Sequence, residues 1–494
     1  MSNDSLLTPQ KCAPFGSTAT RAKLRDWRYV FILASLCAAL VVPSTAQTFT
    51  SLLSFDGTNG ATPEYGALVQ GFDGRFYGTT SSGGSNNGGT VFKVTPQGTL
   101  TTLYNFCALA NCADGKAPYG GVALGIDGNF YGTTSLGGVN GYGTVFKITP
   151  SSAFTVLHSF DETDGKTSTS QLVQGTDGEF YGTTEYGGKG DACGTNGCGS
   201  IFKITPAGDF FYLDTFTKSA KGPAFPTQGL IQGTDGDFYG TTLGGGGGCS
   251  GFGCGSFYKV TSGGVITVLD IDYGYKAPFD APIQATNGNF YFTTSGREGP
   301  GNVLEVTPGG EVTSLQSFGG SNGFQPIGGL VQATDGNLYG TTAGNGHCNG
   351  LGGYYCGSVF EITLDGTLTQ LHSFQKTDGS APLSALLQAT DGNFYGMTST
   401  GGSSNDGTIF ELATGLGPFV RAVPSSNPVG KVVTILGNNL AATTGVSFNG
   451  TPATFTASSS QINTTVPAGA TTGPIIVTMS SGTLSSNVAF NVIP

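Results

Sequence analysis

The chain has 494 residues, of which 84 are glycine and only 10% are charged, against roughly 25% charged in an ordinary soluble domain. The glycines keep no three-residue period, and 34 Phe and 19 Tyr recur at fixed places, so a collagen-like helix and a disordered chain are both excluded. The formal net charge of −11 argues against nucleic acid and anionic membrane surfaces, which bind through clustered Lys and Arg.

Residues 1–46 read as a signal peptide. Arg21, Lys23, Arg25 and Arg28 precede an apolar run of 14 residues, Tyr29–Val42. That run is short of the roughly 20 residues a membrane helix needs. Ser44 and Ala46 place cleavage between Ala46 and Gln47; an uncleaved anchor is the alternative. Bulky Leu36 before Cys37 argues against lipid attachment there. No second apolar run follows, so the mature chain is expected to be soluble and without a membrane span. Losing five basic and two acidic residues would bring its formal charge to −14.

From residue 47 the sequence repeats. "DGNFYGTT" (Asp127–Thr134) has counterparts starting at Asp73, Asp177, Asp235, Asn287, Asp335 and Asp391, at spacings of 48 to 58 residues. A period near 50 means one supersecondary unit per repeat. Each unit has four segments, as in the first: A, "GALVQG" (Gly66–Gly71); B, "FYGTT"; C, "GTVFKVTP" (Gly89–Pro96); D, "TLTTLYNF" (Thr99–Phe106). All four have strand composition, with β-branched and aromatic residues inside and Gly and Pro at the ends. The Asp-Gly between A and B predicts a two-residue type I′ hairpin, and the Phe-Tyr of B should point to opposite faces, each ring against a neighbouring unit. Four antiparallel strands repeated seven times predict a β-propeller.

Closure is also legible. Segment D follows C only six times, because the pattern stops after Gly407–Ala413. The missing D stands at the other end as "TFTSLLSF" (Thr48–Phe55), so the N-terminal strand should complete the last blade. That favours a closed ring over an open solenoid or separate hairpin domains. The predicted domains are thus a propeller over 47–416 and, over 417–494, a small immunoglobulin-like β-sandwich, since that stretch is rich in Thr, Ser and Val with Gly/Asn/Pro turns. The fold class is all-β, and a monomer is expected.

Both parts resemble known families. The units, over Thr48–Ala413, resemble the Gloeobacter–Verrucomicrobia tandem repeat, through the "DGNFYGTT" and "GTVFKVTP" strings at steady spacing. "DGNLYGTT" (Asp335–Thr342) also resembles, more distantly, the repeats of bacterial sensor propellers. The resemblance implies a secreted bacterial protein of propeller fold; its motif residues are scaffold and carry over no catalytic role. The tail resembles an IPT/TIG domain in "VTILGNNL" (Val433–Leu440), "VSFNGTPA" (Val446–Ala453), "VPAGATTGPIIV" (Val466–Val477) and "VAFNV" (Val488–Val492). Such domains imply spacers or docking modules. With Arg421 and Lys431 its only basic residues, this copy lacks the charge for DNA.

In such a blade the A–B and C–D turns share one face of the ring, and the longer, variable B–C and D–A loops share the other. All eight cysteines beyond residue 46 fall on the second face, in four local couples: Cys107/Cys112, Cys193/Cys198, Cys249/Cys254 and Cys348/Cys356. An even count, short spacing and a secretion signal read as disulfides; zinc, with His347 nearby, is the competing reading. Variable loops held by disulfides suggest a presentation surface, or simply stiffened loops. Gln70, Gln174, Gln232, Gln284, Gln332 and Gln388 precede each A–B turn, with Leu124 breaking the set. They could line a channel or, as buried amides do, bond between blades. His158 and His372 share one repeat position and are expected to be exposed. Asp161–Gly165 is acidic but lacks a full calcium-loop spacing.

No triad, metal motif or phosphate loop emerges, and no cofactor is expected. The function expected is a secreted or envelope-associated binding module for a polysaccharide or an extracellular protein. Its candidate ligand face holds Tyr354, Tyr355, His347, Arg297, Glu298 and Glu185. A carbohydrate-active hydrolase or lyase using Glu185 or Glu298 is the second reading, and a purely structural surface protein the third.

Overall fold

The computed structural model describes residues 47–493 apart from 190–192, 218–221, 246–254, 270–277, 296–300, 320–321 and 345–355. In the first blade, strands A (Val69–Gln70), B (Phe76–Thr80), C (Thr90–Val94) and D (Leu100–Asn105) pair antiparallel in that order. Six further four-stranded sheets repeat the arrangement. In the last, Thr48–Ser54 pairs antiparallel with Thr408–Ala413, so the N-terminal strand closes the ring as the missing segment D predicted.

The ring is held by the B strands, whose residues are all buried. Phe and Tyr alternate faces, and each Tyr meets the next blade's Phe. Tyr77 stacks on Phe130 at 3.8 Å, Tyr131 on Phe180 at 4.0 Å and Tyr181 on Phe238 at 4.0 Å between centroids. The seam is no different: Tyr395 of the last blade lies 4.2 Å from Phe76 of the first. The central Gly of "FYGTT" makes room for a ring. A Cβ on Gly78 would stand 2.8 Å from Phe92 Cζ on strand C. The fifth blade exchanges the two sizes, with Phe292 on B paired to Leu304 on C. Swapping large and small across one contact keeps the core volume.

The A–B turn corrects the type I′ expectation. Gly74 N–H bonds to Gly71 O at 3.0 Å and Gly71 N–H to Arg75 O at 2.9 Å, and Gly74 has a φ of +77°. Asp73 is not left-handed, so this is a three-residue type I turn with a glycine bulge. The Asp earns its place through its side chain. Oδ1 accepts the Arg75 N–H at 3.1 Å, and Oδ2 accepts the Tyr77 hydroxyl at 2.9 Å. Each Asp thus fixes the Tyr that packs on the next blade.

The glutamines bond between blades. Gln232 Oε1 accepts the Thr176 N–H at 3.0 Å, and Gln284 Oε1 the Thr234 N–H at 2.8 Å, each reaching the preceding blade's turn. The two histidines are not exposed. His158 stacks on Phe210 of the next blade at 3.7 Å and bonds to Asp164 at 2.8 Å. His372 stacks on Phe49 at 3.6 Å and bonds to Asp378 at 3.0 Å. Tyr104 does the same with Phe154 and Asp114. A flat ring on the outer strand fits this slot whether it is phenol or imidazole.

Residues beyond Ala413 form a sandwich of two four-stranded sheets. One runs Arg421–Val423, Val432–Leu436, Gln461–Thr465, Phe455–Ala457; the other runs Thr451–Pro452, Thr443–Phe448, Ile475–Met479, Gly482–Ser485. Val433, Ile435, Phe448, Ile462, Val477 and Phe490 fill its core.

Candidate binding face and channel mouth

The loop face carries formed disulfides. Cys107–Cys112 joins a D–A loop and Cys193–Cys198 a B–C loop, with Cα separations of 4.0 and 5.2 Å. Cys356 is also disulfide-bonded. Cys348, Cys249 and Cys254 lie outside the described residues, as do Arg297, Glu298, His347, Tyr354 and Tyr355. The first loop is pinned twice. Fully buried Asp114 accepts the Ala108 N–H at 2.9 Å, the Leu109 N–H at 3.1 Å and the Tyr104 hydroxyl at 2.9 Å. These bonds hold Cys107, Asn111 and Cys112 left-handed, at φ of 62°, 55° and 53°. Non-glycine residues take that conformation only when the surroundings impose it.

Each D–A loop returns from the rim to the inner strand. In the first two blades this return carries Glu64, Tyr65 and Tyr119, all half-buried. The Tyr65 and Tyr119 rings lie 6.2 Å apart, tilted by 48°. Burial pushes the Tyr65 hydroxyl up to about 12, helped by the charges of Glu64, Tyr119 and Glu185. Tyr65 and Tyr119 lie just before the inner strands of the first and second blades, and Glu185 just after strand B of the third. Burial pushes the Glu64 carboxyl up to about 7 and raises that of Glu185, with a hydrogen bond from Tyr186 working against the latter shift. No cation among the described residues offsets either shift. The mouth therefore offers two aromatic rings and two carboxyls that hold protons more tightly than usual.

Glu185 was legible as a one-off acid on the variable face. Glu64, Tyr65 and Tyr119 were not singled out, although the two Tyr already differ from Thr169, Thr227, Phe279, Ile327 and Leu383 at the same loop position in the other blades. In the fifth blade Phe279 occupies the loop position of Tyr65, and Asp280 that of Gly66. Asp280 is 8% exposed, and its Oδ2 has no hydrogen-bond partner. Burial pushes its carboxyl up to about 8, against backbone bonds from Ala281 and Leu330. The acidic Asp161–Gly165 loop is a self-satisfied turn: Asp161 Oδ1 accepts from Thr163 and Asp164, and Asp164 Oδ2 bonds His158. Among the described residues no group of three His, Cys, Asp or Glu could hold a metal, and no helix is long and apolar enough to cross a membrane.

The molecule is a seven-bladed propeller closed by its N-terminal strand and followed by an immunoglobulin-like sandwich. It belongs to the Gloeobacter/Verrucomicrobia repeat family, which matches residues 40–252 and 226–452, and residues 418–492 match the IPT/TIG domain. No curated protein matches the chain. Among solved structures it is similar to the extracellular domain of a candidate hybrid two-component system from B. thetaiotaomicron, at 13% identity and a TM-score of 0.50, covering 90% of this chain. The chain spans 55% of the length of that protein. A protein from Lactobacillus plantarum is similar at 16% identity and TM-score 0.44, over 79% of this chain and 96% of its own. TolB from Acinetobacter baumannii is similar at 12% identity and TM-score 0.37, over 62% and 66%. At these identities the likeness is one of fold. The disulfides point to a compartment outside the reducing cytoplasm.

Proposed function

We propose that this is a secreted or envelope-associated binding protein that holds a polysaccharide at the channel mouth of its disulfide-bearing face. The observation that carries the reading is the Tyr65–Tyr119 pair flanked by Glu64 and Glu185. Tilted aromatic rings take the apolar faces of sugars, and carboxyls beside them bond to hydroxyls. With no cation in that field, an uncharged chain suits the mouth better than an anionic one. The rigid ring and pinned loops keep the site formed before the ligand arrives, which lowers the entropic cost of binding.

A hydrolase or lyase on the same face is the second reading. Glu64, protonated up to about pH 7, is poised as a general acid with a second raised carboxyl nearby. The test uses oxidised Gln47–Pro494 on a panel of microbial and plant polysaccharides, with retention and released sugar read from the same samples. Retention without release, lost in Tyr119→Ala, is the result expected. Sugar release abolished by Glu64→Gln would replace it with the enzyme reading. Neither signal, with folding intact, would sink both.

A further inference from the structure

Three departures from the repeat converge on one place far from the channel mouth. The Gln of the inner strand is Leu124 in the second blade, so the turn of the first blade has no glutamine reaching it. In that turn Phe72 stands where five other blades carry Thr176, Thr234, Thr286, Thr334 and Thr390. The C–D turns of other blades use left-handed glycines such as Gly98 and Gly208, at φ of 87° and 104°; the second blade uses Ser152, at φ 75°. The immunoglobulin-like domain docks at this break. Ser460 Oγ donates to Phe72 O at 2.7 Å, a different bond from the one glutamine makes elsewhere, where its Oε1 accepts the turn N–H.

The docked domains border an open cleft of about 410 Å³. Phe72, Asp73 and Pro150 form its propeller wall, and Ser458, Ser460 and Gln461 the opposite wall. Asp73 is neutralised locally by Arg75 at 3.0 Å. Pro150 is fixed by Lys93 Nζ, which donates to its carbonyl at 3.1 Å. Ser458 and Ser460 are engaged with Gln461 O and Phe72 O. The carboxamide of Gln461 is half-buried and has no partner among the described residues. The volume falls within the range of ligand pockets, which favour domain interfaces.

We infer that this cleft is a second ligand site, built for a neutral saccharide of one or two rings. The Phe72 ring and Pro150 give an apolar wall for a sugar face. The Gln461 amide offers one acceptor and two donors to hydroxyls, and the Ser458 oxygen a further acceptor. Asp73 and Arg75 cancel each other's charge at the lining, and Lys93, bonded to the Pro150 carbonyl, is a cation beside it. The site is independent of the channel mouth, since it lies on the turn face and three of its nine lining residues belong to the second domain.

Maltose, cellobiose and lactose are titrated into Gln47–Pro494, with saturation-transfer NMR as the readout. At least one should bind saturably, and Gln461→Ala and Phe72→Thr should each weaken it at least tenfold. Phe72→Thr restores the residue of five other blades and keeps the main-chain carbonyl that Ser460 bonds, so the domains stay docked. Because the mouth is itself proposed to bind saccharides, the cleft variants are made in the Tyr119→Ala background, which disables it, and saturable binding should persist in that background before either is added. Unchanged affinity in either cleft variant, loss of binding in Tyr119→Ala, or no saturable signal from any of the three sugars would overturn the assignment.

Discussion

Gln70 in the first blade accepts the Thr390 backbone N–H at 3.1 Å and donates to the Thr390 hydroxyl at 3.1 Å, joining residues 320 positions apart. It is the seam's copy of a bond that other blades make with their neighbours. Gln70 is only 3% exposed, so its amide has no water to fall back on. Leu124 shows that the inner strand accepts leucine at this position. Gln70→Leu should therefore fit, but leave the Thr390 N–H buried and unpaired. A loss of about 1–3 kcal/mol is expected from that orphaned donor. Urea unfolding measures it, with Gln232→Leu, at a more exposed site, as the milder comparison. An unchanged midpoint for Gln70→Leu would show that the glutamines do not hold the ring.

Asp280 should make the fold weaken as pH rises. Its carboxyl is pushed up to about 8 in the folded chain from an ordinary value of 3.8. Well below pH 3.8 it is neutral in both states and costs nothing. Between that value and about 8 the unfolded chain ionises while the folded chain does not, so stability falls progressively. Above that range the loss is complete. Asp280→Asn removes the ionisation and keeps the shape. It should be more stable than the parent by about 1–3 kcal/mol at neutral pH. The gain should vanish on acidification to well below pH 3.8, where the parent carboxyl is protonated in both states. Thermal unfolding across that range decides it, and a gain that did not depend on pH would place its cause elsewhere.

The ring was legible because repetition multiplies a weak strand signal by seven, and because a displaced segment D can only be completed by Thr48–Ser54. What was hidden is what side chains do across blades. "DGNFYGTT" shows that an Asp precedes a Tyr by four residues, but not that Asp73 Oδ2 takes the Tyr77 hydroxyl. Asp-Gly suggested a two-residue turn because that is the strongest short-range hairpin signal; the preceding Phe72 belongs to the turn as well, and only pairing register reveals it. His158 looked exposed because outer strands usually face solvent. Its ring is covered by Phe210, which comes from the next repeat and cannot be assigned to it by spacing. The mouth was half legible for the same reason: Glu185 is a one-off residue in its own repeat, whereas its proximity to Tyr65 depends on how three blades are arranged in the ring.

The N-terminal strand should be worth more than its length suggests. Thr48–Ser54 covers the edge of Thr408–Ala413, and Phe49 sits against His372, Phe374 and Phe410 at centroid distances of 3.6, 5.7 and 5.4 Å. It thereby joins the outer strand of the sixth blade to the seventh. A chain beginning at Phe55 would expose an unpaired strand and leave those rings uncovered. Open edges recruit other chains, so this form should aggregate or pair with copies of itself. Size-exclusion chromatography with light scattering reads that directly. Grafting residues 47–54 after Ala413 as a hairpin should restore the monomer, because the strand would then pair the same edge from the other direction of the chain. Phe49→Ala separates the ring contact from the ladder. It keeps the edge covered and should stay monomeric, at a loss of about 2 kcal/mol for a half-buried aromatic. If the truncated chain instead remained monomeric with an unchanged unfolding midpoint, closure by the N-terminal strand would contribute nothing to the stability of the ring.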